Sequence, residues 1–183
     1  MRKLLNLLKE NSQNTYDFGC VMVYFNFPDL FKIQDVIDPK DVFEKDGDKV
    51  FGMEDEPHVT LLYGLHKEVS LEDVEEITSK YEFGPKPLIG TKISIFENEK
   101  YDVLKFDIEG EILYNINTDL KTLPFTSTYP DYHPHMTIGY LKKGMGQKWA
   151  DKLKKIKVKL EPEYVIFSQA DGTKNKIEIN KVK

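Results

Sequence analysis

Little in this chain suits it to covalent stapling or to a membrane. Cys20 is the only cysteine among 183 residues, so no internal disulfide can form, and the framework of a small secreted domain is excluded. A reducing cytoplasm is the expected setting. Cys20 itself lies in an apolar run, where a small buried residue is expected rather than a reactive thiol. No stretch approaches the roughly twenty apolar residues that a membrane span requires. The opening segment, with Leu4, Leu5, Leu7 and Leu8, is broken by Asn6 and followed by no small-residue cleavage site, so residues 1–14 read as a helical N-terminal extension rather than a signal peptide. Excess positive charge is also missing. Lys and Arg number 26 against 31 Asp and Glu, a net charge of −5, which leaves no general attraction for polyanions and argues against long nucleic acid as a partner. Paired cysteines and a helical His-x-x-x-His are lacking as well. The best metal reading is Tyr132-His133-Pro134-His135 with a distant Asp or Glu, and no metal is expected.

What is present is one core's worth of apolar residues. A 40% hydrophobic and 12% aromatic content over this length predicts a single domain spanning residues 1–183. Strands are predicted where β-branched and aromatic residues concentrate: 20–27, 58–63, 91–96, 101–108, 135–141, 164–168 and 176–180. Helices are predicted over 30–37, 70–80, 110–123 and 147–156, where apolar spacing follows the helical period. The charged, glycine-bearing segment 40–55 reads as an exposed loop leading into the first motif. The fold class that follows is α+β, with helices flanking antiparallel sheets.

Two segments resemble each other. His58-Val59-Thr60-Leu61-Leu62-Tyr63-Gly64-Leu65 and His135-Met136-Thr137-Ile138-Gly139-Tyr140-Leu141 share the order His, apolar, Thr, apolar, then a Tyr and Gly pair. Each follows a proline, opens a predicted strand and precedes a predicted helix. One His-x-Thr carries little weight, but here two of four histidines fall in matching flanks. The pattern predicts a pseudo-duplicated, bilobal arrangement with the motifs facing each other across a cleft.

In a strand, residues two apart project to the same face. Each His therefore shares a face with its Thr, while Val59 or Met136 anchors the strand on the other. Imidazole titrates near neutral pH, so one histidine can accept a proton while the other donates one. Phosphodiester cleavage requires such a base and acid, each worth roughly 10²–10⁴-fold, and threonine hydroxyls can hold the non-bridging oxygens. His66 and His133 read as loop histidines. Lys142, Lys143 and Lys148 could gather phosphate charge or form a solvated helix-end cluster, and Trp149 shares helical spacing with Leu153 and Ile156, which predicts core packing.

On these motifs the chain resembles the two-histidine phosphoesterase superfamily. Within it, Gly52-Met53-Glu54-Asp55-Glu56-Pro57-His58-Val59-Thr60-Leu61-Leu62-Tyr63-Gly64 resembles the phage anti-CBASS cyclic-oligonucleotide phosphodiesterases, which degrade the signalling nucleotides of bacterial antiviral defence. The resemblance implies metal-independent and cofactor-free cleavage of 3′–5′ linkages in a small cyclic nucleotide such as 3′,3′-cGAMP, in the host cytoplasm. It makes His58 and His135 the acid and base, with Thr60 and Thr137 as phosphate clamps. Tyr24 and Tyr132 become candidates to stack on bases. Two other readings use the same residues: an RNA-end 2′,3′-cyclic phosphodiesterase or ligase, and a protein that sequesters nucleotides without cutting them.

Overall fold

The computed structural model describes residues 17–48, 50–84, 86–126 and 131–181. The N-terminal extension expected over 1–14 lies outside the described residues. In chain order the elements are β1 (Gly19–Asn26), α1 (Asp29–Gln34), β2 (His58–Leu65), α2 (Leu71–Thr78), β3 (Glu82–Phe83), β4 (Leu88–Glu97), β5 (Tyr101–Glu109), α3 (Glu111–Leu120), β6 (His135–Lys142), α4 (Gly146–Leu153), β7 (Val158–Ser168), β8 (Lys174–Glu178) and β9 (Asn180–Lys181). The α+β class is as the pattern predicts.

Seven strands form one sheet in the order β2-β1-β7-β4-β5-β6, with β8 also on β7. All of its pairings are antiparallel. The two expected sheets are thus halves of a single one. β7 joins them: its first residues pair with β4, and the rest pairs with β1. The sequence predicts only 164–168 of this strand, because Pro162 and the alternating charges Lys159, Glu161 and Glu163 resemble a loop. Pro162 sits at the register shift opposite Phe25, a site where a strand tolerates proline. The short β3–β9 pair is a further departure from the predicted strands.

The sheet order places the two motif strands, β2 and β6, at opposite ends, and the fold brings these ends into contact. Val59 and Met136, the central residues of the motifs, are wholly buried. They belong to a core that also takes in Val21, Leu61, Phe106, Ile138 and Phe167.

The hydrogen bonds repeat as the sequences do. The carbonyl of Pro57, before the first motif, accepts from Phe25 on β1 at 2.9 Å, and that of Pro134, before the second, accepts from Ile108 on β5 at 2.9 Å. Three residues after each motif histidine, a helix amide grips the strand. Asn117 on α3 donates to Leu61 O of β2 at 2.6 Å, and Gln34 on α1 donates to Ile138 O of β6 at 2.8 Å. The grips are exchanged: α1 follows β1 yet holds β6, and α3 follows β5 yet holds β2. Both amides are buried, where a polar side chain needs a hydrogen-bond partner, and the Ile138 carbonyl also accepts from Glu54 N at 3.1 Å.

The segment expected to be an exposed loop is docked at both ends. Val42 bridges Leu141 and Met53 bridges Gly139, so it covers the outer edge of β6. Phe43, Phe51, Tyr101 and Tyr140 pack there with ring centroids 5.1–5.5 Å apart. Asp41 anchors the same segment, accepting from Trp149 Nε1 at 2.9 Å and Lys148 Nζ at 2.7 Å. A hydrophobic cluster and an unpaired strand edge outweigh the charge that makes the segment look solvated. Its last residues lead straight into His58.

Candidate active site

Each motif histidine is half-buried at the start of its strand, and the backbone before it orients the ring. His58 Nδ1 lies 2.8 Å from the carbonyl of Glu56; His135 Nδ1 lies 2.8 Å from the carbonyl of His133. A carbonyl oxygen can only accept, so Nδ1 carries the proton in both rings. In the neutral imidazole Nε2 is then the free acceptor, and in the imidazolium it is a donor. The two histidines offer the same atom for proton transfer. Thr60 and Thr137 are half-buried on the same faces.

The surroundings of the two rings differ. His58 stacks on Tyr24 at 5.3 Å, and Tyr24 stacks in turn on Tyr164 at 5.3 Å. These neighbours stand on the strands to either side of β1, so both faces of the buried Tyr24 ring are covered by protein. His135 instead makes a T-shaped contact with Phe96, ring centroids 4.8 Å apart, with Asp107 as its cross-strand partner. Burial is the main influence holding the His135 imidazole below its ordinary 6.5. Lys105 and His58 push the same way, while the His133 carbonyl and Asp107 oppose them. The strands that carry the two rings, β2 and β6, are themselves in contact.

Tyr132 donates its hydroxyl to Thr60 O at 3.0 Å and packs edge-on against Tyr114 at 5.5 Å. It lies just before the second motif and fastens the first. Tyr132→Phe removes this link and leaves a carbonyl short of a partner, so a loss of about 1 kcal/mol is expected. A urea midpoint that does not move would refute that role.

Of the other sequence candidates, none of the three lysines points its ammonium at the motifs. Lys142 donates to Lys40 O at 2.6 Å, Lys143 pairs with Glu97 at 3.0 Å and Asp102 at 3.2 Å, and Lys148 pairs with Asp41. All three tie down loops. Trp149 is in the core. Cys20 is half-buried, and burial pushes its thiol up to about 12. His66 bonds Thr126 Oγ1 at 2.8 Å, beyond the far end of β2 from His58, while His133 is exposed. Among the described residues no group of three or more His, Cys, Asp or Glu is arranged to hold a metal ion. No helix among them is long and apolar enough to cross a membrane.

Two residues escape the sequence reading. Phe96 is 40% exposed, a large apolar ring left open beside His135. Lys105 is 4% exposed and stands directly opposite Thr137. The available signal is the period-two register of Lys105 and Asp107 on a strand adjoining the motif, which becomes informative only once β5 and β6 are known to pair.

A sequence profile described as anti-CBASS protein Acb1 matches residues 53–174, a span that includes both motifs. The fold is similar to that of Usb1 from Kluyveromyces marxianus, with a TM-score of 0.57 at 9% identity, covering 90% of this chain and 99% of that one. The structure of Usb1 from the same organism with uridine monophosphate is also similar, with a TM-score of 0.52 at 8% identity, covering 89% and 98%. At such identities the likeness concerns the fold alone. A search of curated proteins finds no match in sequence.

Proposed function

The chain belongs to the anti-CBASS protein Acb1 family, and from that premise we propose that it is a phosphodiesterase opening the 3′–5′ linkages of cyclic di- or oligonucleotide messengers such as 3′,3′-cGAMP. Its place of action on this reading is the cytoplasm of an infected host. The observation that carries the reading is the matched pair of Nδ1–carbonyl bonds, which leaves Nε2 of His58 and of His135 as the two proton-transfer atoms.

The reaction runs in two halves. One imidazole takes the proton of a ribose 2′-hydroxyl, O2′ attacks phosphorus, and the other imidazolium gives its proton to the departing O5′. The 2′,3′-cyclic phosphate so formed is opened by water with the roles reversed, which restores both rings to their starting states. The depressed basicity of His135 favours it as the first base, with His58 as the first acid. Thr60 and Thr137 hydroxyls donate to the non-bridging oxygens, whose charge grows in the transition state.

Tyr24 and Tyr132 serve on this reading by holding the motif strands. Stacking on a base passes to Phe96, whose open ring can supply about 1–3 kcal/mol per base. A nucleotide-sized substrate also suits the acidic net charge of −5, which disfavours gripping long RNA. That a protein of similar fold has been determined with uridine monophosphate agrees with a nucleotide ligand.

The test is incubation with a panel of cyclic dinucleotides and trinucleotides beside RNA ends carrying 2′,3′-cyclic phosphate, with products read by mass. Linear nucleotides bearing a 2′,3′-cyclic or terminal phosphate are expected from the cyclic substrates, at a rate unchanged by EDTA. Cleavage of the RNA ends alone would favour the RNA-end reading, and recovery of bound but intact ligand would favour sequestration. Loss of turnover on chelation would overturn the metal-independent scheme.

A further inference from the structure

The residues that stand across from the two motifs differ in kind. In the first half, Met22 stands opposite Thr60 and Tyr24 opposite His58. In the second, the same two positions hold Lys105, opposite Thr137, and Asp107, opposite His135. A neutral pair in one half is replaced by an ion pair in the other.

Lys105 is almost wholly buried, and three neighbours hold its ammonium. It pairs closely with Asp107 and donates to Ser94 Oγ at 2.8 Å. Ser94 donates in turn to Asp107 Oδ1 at 2.8 Å. The ring of Phe96 lies over the ammonium at 4.2 Å. The charge is therefore fixed in position, with little of the freedom of a surface lysine.

Stability does not explain this arrangement. Burying the Lys105 ammonium costs several kcal/mol even beside Asp107, whose side chain stays 39% exposed, and a well-packed apolar residue usually serves a core as well or better. The first half does the same packing job with Met22 and Tyr24, so the fold itself makes no demand for charge here. What the second half gains is a fixed ion pair facing Thr137 and His135.

We propose that Lys105 is a positioning residue: a buried cation, held by Asp107 and Ser94 beneath Phe96, that assigns the proton-accepting role to His135 and draws the phosphodiester toward the His135–Thr137 side of the cleft. This rests on the phosphodiesterase reading above for its substrate, but its effect on His135 can be observed without any substrate. The groups acting on His135 are Lys105 and Asp107 from β5, His58 from β2 and the His133 carbonyl beside it, with burial the largest influence. A like charge at Lys105 disfavours the imidazolium. Burial opposes the charged form of Asp107, but hydrogen bonds from Lys105 and Ser94 outweigh it and hold that carboxyl below its usual range, so Asp107 remains ionised alongside its partner.

The experiment is an NMR titration of the His135 ring in the free protein, with its resonance assigned by comparison with His135→Ala, together with the pH dependence of kcat/KM. Three variants are compared: Lys105→Met, which copies the first half; Lys105→Met with Asp107→Asn, which leaves no unpaired carboxylate; and Lys105→Arg. In the first two the His135 midpoint should move to higher pH, and the acid limb of kcat/KM should move with it. The value of kcat/KM on the plateau should fall by about 10- to 100-fold. Lys105→Arg should keep both midpoints near those of the wild type. If Lys105→Met proves unfolded, the double variant supplies the same reading. An unchanged His135 midpoint in a folded variant would overturn the proposal, whatever the loss of rate. A moved midpoint in a protein that cleaves none of the nucleotides would uphold Lys105 as the electrostatic partner of His135 while removing the phosphodiesterase reading.

Discussion

Replacing either His58 or His135 with alanine is expected to lower kcat by about 10³-fold or more, because each proton transfer is worth roughly 10²–10⁴-fold and neither half-reaction proceeds without both. The double variant should fall little further than the weaker single one, since residues acting as a unit are not additive. The fold should survive. Each ring is only half-buried, and the hydrogen bond from its Nδ1 to the carbonyl two residues earlier is worth about 1 kcal/mol. Circular dichroism and a thermal melt alongside turnover assays separate the two effects. A folded variant retaining more than about a tenth of wild-type turnover would refute the assignment of that histidine.

The largest loss of stability is expected at Gly64. It lies near the end of the first motif strand with φ +108°, and a Cβ there would stand 2.1 Å from the carbonyl oxygen of Thr126. That contact is with backbone, so no side chain can swing aside to relieve it. The strip it would displace is bound on both sides of the glycine. Thr126 N donates to Gly64 O at 2.9 Å, and His66 N donates to Pro124 O at 3.0 Å. Adding the backbone strain of an L-residue to the overpacking, Gly64→Ala should cost roughly 2–5 kcal/mol. Gly47 provides the control. Its φ is +78°, but a Cβ added there would meet nothing within 4 Å, so Gly47→Ala should show the conformational cost of about 1 kcal/mol without the clash. Urea unfolding of the two variants tests the difference, and equal midpoints would sink the steric argument.

The motifs and their strands are legible because strand chemistry is local. A period of two places His and Thr on one face and Val59 or Met136 in the core, and no distant residue is needed to see it. The duplication can be read for the same reason. What cannot be read depends on partners far along the chain. Asn117 and Gln34 look like ordinary polar residues on amphipathic helices, and only the folded arrangement turns them into buried donors to β2 and β6. Lys105 is one of many charges in a mixed sequence until β5 is paired with β6. Tyr24 has the composition of a base-stacking residue, but its neighbours on β2 and β7 already occupy its faces. The segment ending at Asp55 reads as solvated because its charges are local and the strand edge it covers is not.

The exchanged grips have a consequence for how the protein comes into being. The amide that seats β2 is supplied 56 residues after the carbonyl it holds, and Gln34 must wait across 104 residues for Ile138. A chain emerging from the ribosome therefore carries its first histidine long before that strand is secured. The site is completed in one late event, when the second half arrives and each half locks the other's blade in place.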